Sequence, residues 1–413
     1  MTEADAGVII VGAGEAGAGV AFALRQNGYA GAITLIGEEG HPPYRRPPLS
    51  KGFLTGVVSE QALMFRSNEA YERARIKGLY RNRVLGIDRR AQTVVLEDGL
   101  GLPYRQLVLA TGGRARRLAL HGAEHPNIHY VRTIADVSRL RAQFRSGQRL
   151  MILGGGFIGL EIAAVGVLAG LKVTLAEALP RLLARVAAPV VSEFYAGAHR
   201  RRGVEILTAL SAQSCRSGAS ALEVSFADGS LRPADLIIAG VGMIPNTELA
   251  QDAGLAVDNG ILVDGQLATS DPRIFAVGDC CSYLSPFSEK RVRLESVPNA
   301  AEHARICAAA IMGRPALAHS VPWFWSDQYD LKLQIAGLPH DATQILIRGE
   351  PTPTIGGARF AVFHLTADNR VQAVEAINAA PEFMAGRQLI ASRKPVAPDK
   401  LRDMSISMKE VAA

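Results

Sequence analysis

The stretch Val8-Ile9-Ile10-Val11-Gly12-Ala13-Gly14-Glu15-Ala16-Gly17 joins a short apolar, β-branched run to a G-x-G-x-x-G turn, and an alanine-rich segment follows as far as Asn27-Gly28. The apolar run reads as a buried strand and the alanine-rich segment as a helix. A second apolar run, Ile33 to Ile36, closes at Gly37-Glu38. Strand, glycine turn, helix and strand make one βαβ unit. In such a turn the first glycine allows the tight bend, the second lets a pyrophosphate approach the backbone, and the third packs helix against strand. Glu38 stands about 20 residues past the turn, where an acid accepts from ribose hydroxyls.

The pattern returns further along. Leu150 to Leu153 runs into Gly154-Gly155-Gly156-Phe157-Ile158-Gly159, a helix is expected through Leu168, and the strand Lys172 to Ala176 closes at Glu177. The span from Leu150 to Leu171 carries a single charge, Glu161, yet its turn glycines argue against a membrane helix. Two such turns imply two dinucleotides, and the chemistry they most economically serve is hydride transfer between a nicotinamide and a flavin. Glu177 would accept from the 2′- and 3′-hydroxyls of an adenosine ribose and repel a 2′-phosphate, which favours NADH over NADPH. Arg181 and Arg185 stand close enough in sequence to oppose that preference.

Around these units the chain alternates in the same manner. Val94 to Glu97 and Leu107 to Ala110 read as strands, the latter ending in Thr111-Gly112. Leu236 to Ala239 ends in Gly240-Val241-Gly242, and Ile274 to Val277 runs into Gly278-Asp279. From about His319 the composition shifts: Trp323 and Trp325 appear, then alternating apolar stretches at Leu331 to Ile335, Ile345 to Ile347 and Phe360 to Leu365. The expected fold is α/β, with two Rossmann-like dinucleotide-binding domains and a small α+β C-terminal domain. Residues 1–112 with 241–318 would form the first, 113–240 the second and 319–413 the third.

Composition agrees with this reading. The chain has 413 residues, 48% of them apolar, and 41 glycines against 6% aromatics, which suits a multidomain α/β protein better than a sandwich. Met1 to Ala6 has no basic residue, so a cytoplasmic location is expected. The four cysteines, Cys215, Cys280, Cys281 and Cys307, show no metal or redox spacing. His121, His125 and His129 recur every four residues, but Gly122 and Pro126 break the helix that would align them, so no metal site is expected. The net charge of +6 is spread along the chain without a basic block, which argues against a nucleic-acid partner.

More specific segments carry a family resemblance: Tyr44-Arg45-Arg46-Pro47-Pro48-Leu49-Ser50-Lys51, Ala110-Thr111-Gly112, Gly154 to Glu161, Thr269 to Asp279, Leu294-Glu295-Ser296-Val297 with Asn299-Ala300, and Pro322-Trp323-Phe324-Trp325-Ser326-Asp327-Gln328-Tyr329. Over nearly its whole length the chain resembles the FAD-dependent ferredoxin reductases of bacterial haem-thiolate monooxygenase and ring-hydroxylating dioxygenase systems, which share a glutathione-reductase-like plan. The resemblance implies FAD on Gly12, Gly14, Ala16, Gly17, Glu38, Arg46, Lys51, Val84, Thr111, Gly112, Arg132, Asp279 and Val297. It implies NADH on Gly154, Gly156, Ile158, Gly159, Glu177 and Gly242, with Lys51, Glu161 and Trp325 at the reacting centre. One departure is Pro298, where some members carry Gln.

Relatives of this plan that reduce disulfides carry a cysteine pair in the region matching His41 to Lys51, and here that region has none. Electrons would therefore leave the flavin directly, one at a time. The expected acceptor is an acidic [2Fe–2S] ferredoxin, with an oxygenase served only indirectly and no membrane involved. Arg66, Arg73, Arg75 and Lys77 are expected to cluster on one helix and, with Arg305 and Arg314, to form its basic docking face. A rubredoxin reductase or diaphorase, or a flavin-bearing scaffold like the apoptosis-inducing factors, are the alternatives. An ion pair between Lys51 and Glu161 is expected in a partly dry site.

Overall fold

A computed structural model describes residues 6–218, 221–314, 316, 320–352 and 357–412. The amino-terminal Met1 to Asp5 and the expected boundary at Ala318-His319 lie outside the described residues. The chain folds as two compact units, one of residues 1–45, 61–114 and 244–322, the other of 46–60, 115–243 and 323–413.

The first unit is built on a five-stranded parallel sheet. Val8–Val11 lies at its centre, between Ile33–Gly37 and Gln106–Leu109, with Ile76–Tyr80 and Ile274–Ala276 outermost. Both faces of a parallel sheet are covered, which is why these strands are runs of Val, Ile and Leu rather than alternating sequences. Helix Glu15–Gln26 buries Ala16, Ala18, Val20, Ala21 and Leu24 on one side, and small residues there let it approach the 15-residue helix Val297–Ile311 closely. Pro298 occupies the first turn of that second helix, where a missing backbone N–H removes no intrahelical bond.

The second unit repeats the plan. Arg149–Leu153 is flanked by Lys172–Ala176 and Leu236–Ala239, with Glu205–Leu207 and Ile128–His129 outermost, all parallel. The apolar span around Glu161 is thus a strand, a turn and the 12-residue helix Phe157–Leu168; no helix among the described residues is long and apolar enough to cross a membrane. Trp323–Gln328, Leu331–Gly337, Val371–Ile377, Arg359–Leu365 and Gln344–Glu350 form a five-stranded antiparallel sheet, in that order. Helix Ala380–Ser392 covers it. The fold is the α/β arrangement with an α+β C-terminal part that the sequence predicted.

One local expectation is corrected. Arg73 ends a short helix, Asn68–Arg73, Arg75 adopts left-handed backbone with φ of 49°, and Lys77 lies in the strand Ile76–Tyr80. Helix propensity in this basic stretch gives way to strand pairing against Ile33–Gly37, so the four cations are not on one helix.

Candidate active site

Each glycine turn passes directly from the central strand of its sheet into a helix that has no side-chain N-cap. The N–H groups of those first turns are therefore left for a ligand, at the positive end of the helix dipole. The three glycines of a turn are not equivalent. A Cβ on Gly17 would come within 2.0 Å of the Gly12 carbonyl, and one on Gly159 within 2.1 Å of that of Gly154, so both mark close helix–strand packing. A Cβ on Gly14 or Gly156 would meet no atom within 4 Å. The second glycine of each turn thus faces open space, which is the cradle a pyrophosphate needs. Ile158, 43% exposed in the first turn of its helix, offers an apolar surface at the mouth of the second cradle.

The remaining sequence-predicted residues of the first unit lie on several of its elements. Glu38 follows the second strand and is exposed, and Val84 is buried at the start of the strand Val84–Asp88. Thr111 and Gly112 are clamped to Asn246: Thr111 Oγ1 donates to the Asn246 carbonyl at 2.6 Å, Asn246 Nδ2 donates to the Thr111 carbonyl, and the Asn246 N–H donates to Gly112. Asp279 sits in the 3-10 turn Gly278–Cys280, and Val297 opens its helix behind the Ser296 cap. The turn at Asp279 is braced by a residue the sequence did not single out. His303 Nδ1 accepts the Gly278 N–H at 3.1 Å, and burial pushes this imidazole down to about 4, so it stays neutral. All four cysteines are free and buried.

In the second unit Glu177 is already engaged. Its Oε2 accepts the Gly155 N–H at 2.6 Å and its Oε1 the Leu179 N–H at 2.8 Å, so the carboxylate stiffens the turn as well as presenting negative charge beside it. Arg181 is withdrawn: its guanidinium donates to the carbonyls of Ala184 and Ala187 and to Ser192 Oγ. Of the two cations that could oppose NADH preference, only Arg185 remains exposed. Gly242 has φ of 102° and faces open space. Arg46 donates to the Arg132 carbonyl at 2.5 Å and so ties the segment around Lys51 to the loop before residue 133.

Lys51 and Glu161 form the expected ion pair, Nζ to Oε1 at 2.8 Å, with side-chain exposures of 24% and 3%. The geometry around it follows from matched repeats. Phe157 and Glu161 are four apart on a helix, about 6 Å along its axis, and Phe324 and Ser326 are two apart on a strand, a rise of about 7 Å. Phe324 stacks on Phe157 with centroids 4.4 Å apart while Ser326 Oγ donates to Glu161 Oε1 at 2.7 Å. Ser50 Oγ donates to Oε2 at 2.5 Å. Three donors on one buried carboxylate offset the cost of desolvating it. Trp325, by strand alternation, points to the opposite face and lies 5.5 Å from the Trp323 ring. The structure therefore brings Lys51 and Glu161 together and adds Ser50 and Ser326, while Trp325 packs with Trp323 and also lies 6.4 Å from the Phe324 ring. Ser326 lies in the segment Pro322 to Tyr329, but only its pairing with a helix repeat shows that it meets Glu161.

The histidines at 121, 125 and 129 have separate surroundings: His121 makes a backbone β-bridge with Ser214, His125 Nδ1 accepts from the Asn127 N–H, and His129 Nε2 lies 3.3 Å from Gln143 Oε1. Among the described residues no cluster of three His, Cys, Asp or Glu side chains is placed to hold a metal.

Comparison with known proteins agrees with this geometry. Residues 6–304 match the pyridine nucleotide-disulphide oxidoreductase family and residues 323–412 the reductase C-terminal family. The chain is 43% identical to putidaredoxin reductase CamA of Pseudomonas putida, over 99% of this chain and 97% of that one. It is 39% identical to rhodocoxin reductase of Rhodococcus erythropolis, over 97% and 93% respectively. Among solved structures it superposes on the covalent putidaredoxin reductase–putidaredoxin complex with a TM-score of 0.94, covering 99% of this chain and 98% of that one at 43% identity. The ferredoxin reductase for the CYP199A2 system from Rhodopseudomonas palustris gives 0.94 at 38% identity, over 98% and 100%. With two uncapped glycine cradles, a buried Lys51–Glu161 pair and these full-length likenesses, the chain belongs to the pyridine nucleotide-disulphide oxidoreductase family, in the group that carries a reductase C-terminal domain.

Proposed function

We propose that the protein is an NADH-dependent, FAD-containing ferredoxin reductase that passes single electrons to an acidic [2Fe–2S] ferredoxin serving an oxygenase. The observation that carries this reading is the cysteine-free segment from His41 to Lys51, together with four cysteines that are all buried and unpaired. A dithiol relay has no residues to run on, so reducing equivalents must leave from the flavin itself. Bound FAD supplies a two-electron hydride acceptor that can release electrons singly. The chain's own residues bind, orient and exclude. Gly12, Gly14, Ala16 and Gly17 receive the FAD pyrophosphate, Glu38 its ribose, and Asp279, Val84, Thr111, Gly112 and Val297 its remaining length, with Arg46 and Arg132 beside it. Gly154, Gly156, Ile158, Gly159 and Gly242 receive NADH, and Glu177 disfavours a 2′-phosphate. Lys51 and Glu161 act by charge and position, because hydride transfer needs alignment rather than a proton donor; Trp325 contributes an aromatic surface to the nicotinamide side.

In this reading residues 1–112 with 241–318 serve FAD, 113–240 serve NADH and 319–413 complete the molecule, which works in the cytoplasm. The names of the relatives support the class of electron acceptor. The purified protein is expected to be yellow, with one releasable FAD per chain, and NADH should bleach it anaerobically. Cytochrome c reduction should then depend on an added [2Fe–2S] ferredoxin and not on rubredoxin. Equal support by rubredoxin would favour the diaphorase alternative, and a colourless chain that refuses FAD would end both readings.

A further inference from the structure

Glu161 is the end point of a chain of hydrogen bonds that crosses the second unit. Tyr329 donates its hydroxyl proton to His199 Nδ1 at 3.0 Å, and His199 donates Nε2–H to Gln328 Oε1 at 2.9 Å. Gln328 Nε2 donates to Ser326 Oγ at 3.2 Å, and Ser326 Oγ donates to Glu161 Oε1. Ser326, Gln328 and His199 are 0–1% exposed. Every donor points towards the carboxylate, so each bond polarises the next in the same sense. His199 can accept at Nδ1 and donate at Nε2 only as the neutral Nε2–H tautomer, and burial pushes its ionisation down to about 4. The amide of Gln328 has no proton to pass on under these conditions, so the chain orients and does not conduct.

Strand alternation explains why it exists. Phe324, Ser326 and Gln328 share one face of their strand, and that face meets helix Phe157–Leu168 and then helix Pro189–Arg201, which carries His199. We propose that Ser326, Gln328 and His199 are positioning residues: ordered donation through them fixes the Glu161 carboxylate as an acceptor for Lys51 and so sets the Lys51 ammonium for hydride transfer. This rests on the function proposed above. The other polar and charged groups around Glu161 and His199 are Lys51 and Ser50 from the preceding segment, Tyr195 on the His199 helix, Asp327 in the strand, and Arg202, which pairs with Asp330.

Two measurements on the full-length holoenzyme test the relay. Nitrogen-15 spectra of labelled histidine should show His199 as a neutral Nε2–H ring from pH 8 to about 5, and Ser326→Ala should shift its resonances although Ser326 does not touch it. In rapid mixing with NADH, Ser326→Ala should slow flavin reduction about ten-fold near neutral pH, the loss of one hydrogen bond to a charged group. Ser326→Thr, which keeps the hydroxyl, should restore both the rate and the His199 resonances. If Ser326→Ala does not fold, Gln328→Met breaks the same chain and carries the same expectation. An Nδ1–H tautomer would reverse the chain and overturn the proposal, as would unchanged His199 resonances in Ser326→Ala or a Thr variant that behaves like Ala. Lys51→Ala in the same assay separates the two readings. If it leaves hydride transfer unchanged, the role of Lys51 and the relay fall together; if it slows transfer while Ser326→Ala does not, only the relay falls.

Discussion

At the scale of single residues, charge placement decides the nucleotide. Glu177 holds two backbone amides and stays beside the second cradle, while Arg181 spends its guanidinium on carbonyls and a serine. The expected outcome is a kcat/KM for NADH at least about 100-fold above that for NADPH, corresponding to roughly 3 kcal/mol of discrimination at 1.4 kcal/mol per ten-fold. Steady-state comparison checks it, and equal values would contradict the assigned role of Glu177. Two buried imidazoles make a second prediction. His199 and His303 are both pushed down to about 4, whereas an unfolded histidine titrates near 6.5. Between those values the unfolded chain binds more protons than the folded one, so stability is fully present above about pH 6.5 and falls as the pH drops towards 4. Each histidine accounts for a few kcal/mol of that loss. Calorimetry from pH 7 to 4 should show Tm falling through this window, and a flat Tm would place the protons elsewhere.

The elements show why glycines that look alike in sequence differ in effect. Gly14→Ala adds a methyl group to open space, so the chain should fold with nearly unchanged stability and lose FAD retention. Gly17→Ala pushes against the Gly12 carbonyl and should force the helix off its strand, destabilising the fold itself by an amount typical of overpacking, about 1–3 kcal/mol. Denaturation of the two apo variants, with flavin content measured in parallel, distinguishes these outcomes. The sequence made the βαβ units legible because strand, turn and helix are local and strongly patterned: Val8–Val11, Lys172–Ala176 and Leu236–Ala239 begin and end where the apolar runs do. The basic segment near Arg73 was misread as one helix because pairing with a distant strand, which local pattern does not contain, overrides propensity there. Ser326, Gln328 and His199 were illegible for the same reason. Their importance appears only when one strand face meets two helices whose sequences lie far away.

For the whole molecule, the net charge of +6 acts over distances that individual pairs do not. If an acidic ferredoxin is steered to a basic face, its apparent KM should rise with ionic strength while NADH–ferricyanide turnover stays nearly flat. Arg305 is paired with Glu302 at 2.8 Å, so its contribution is reduced and Arg73 is the better site for charge reversal. A ferredoxin KM insensitive to salt would leave no role for steering. The order of synthesis also matters, because the Glu161 carboxylate draws its donors from both directions along the chain. Ser50 lies 111 positions before it and Ser326 lies 165 positions after it. As the ribosome delivers residues in sequence, Lys51 and Ser50 are present when Glu161 emerges, but the last hydroxyl is not. The nascent second unit therefore passes through a stage in which the Glu161 carboxylate is one donor short and the strand that packs on its helix is not yet made.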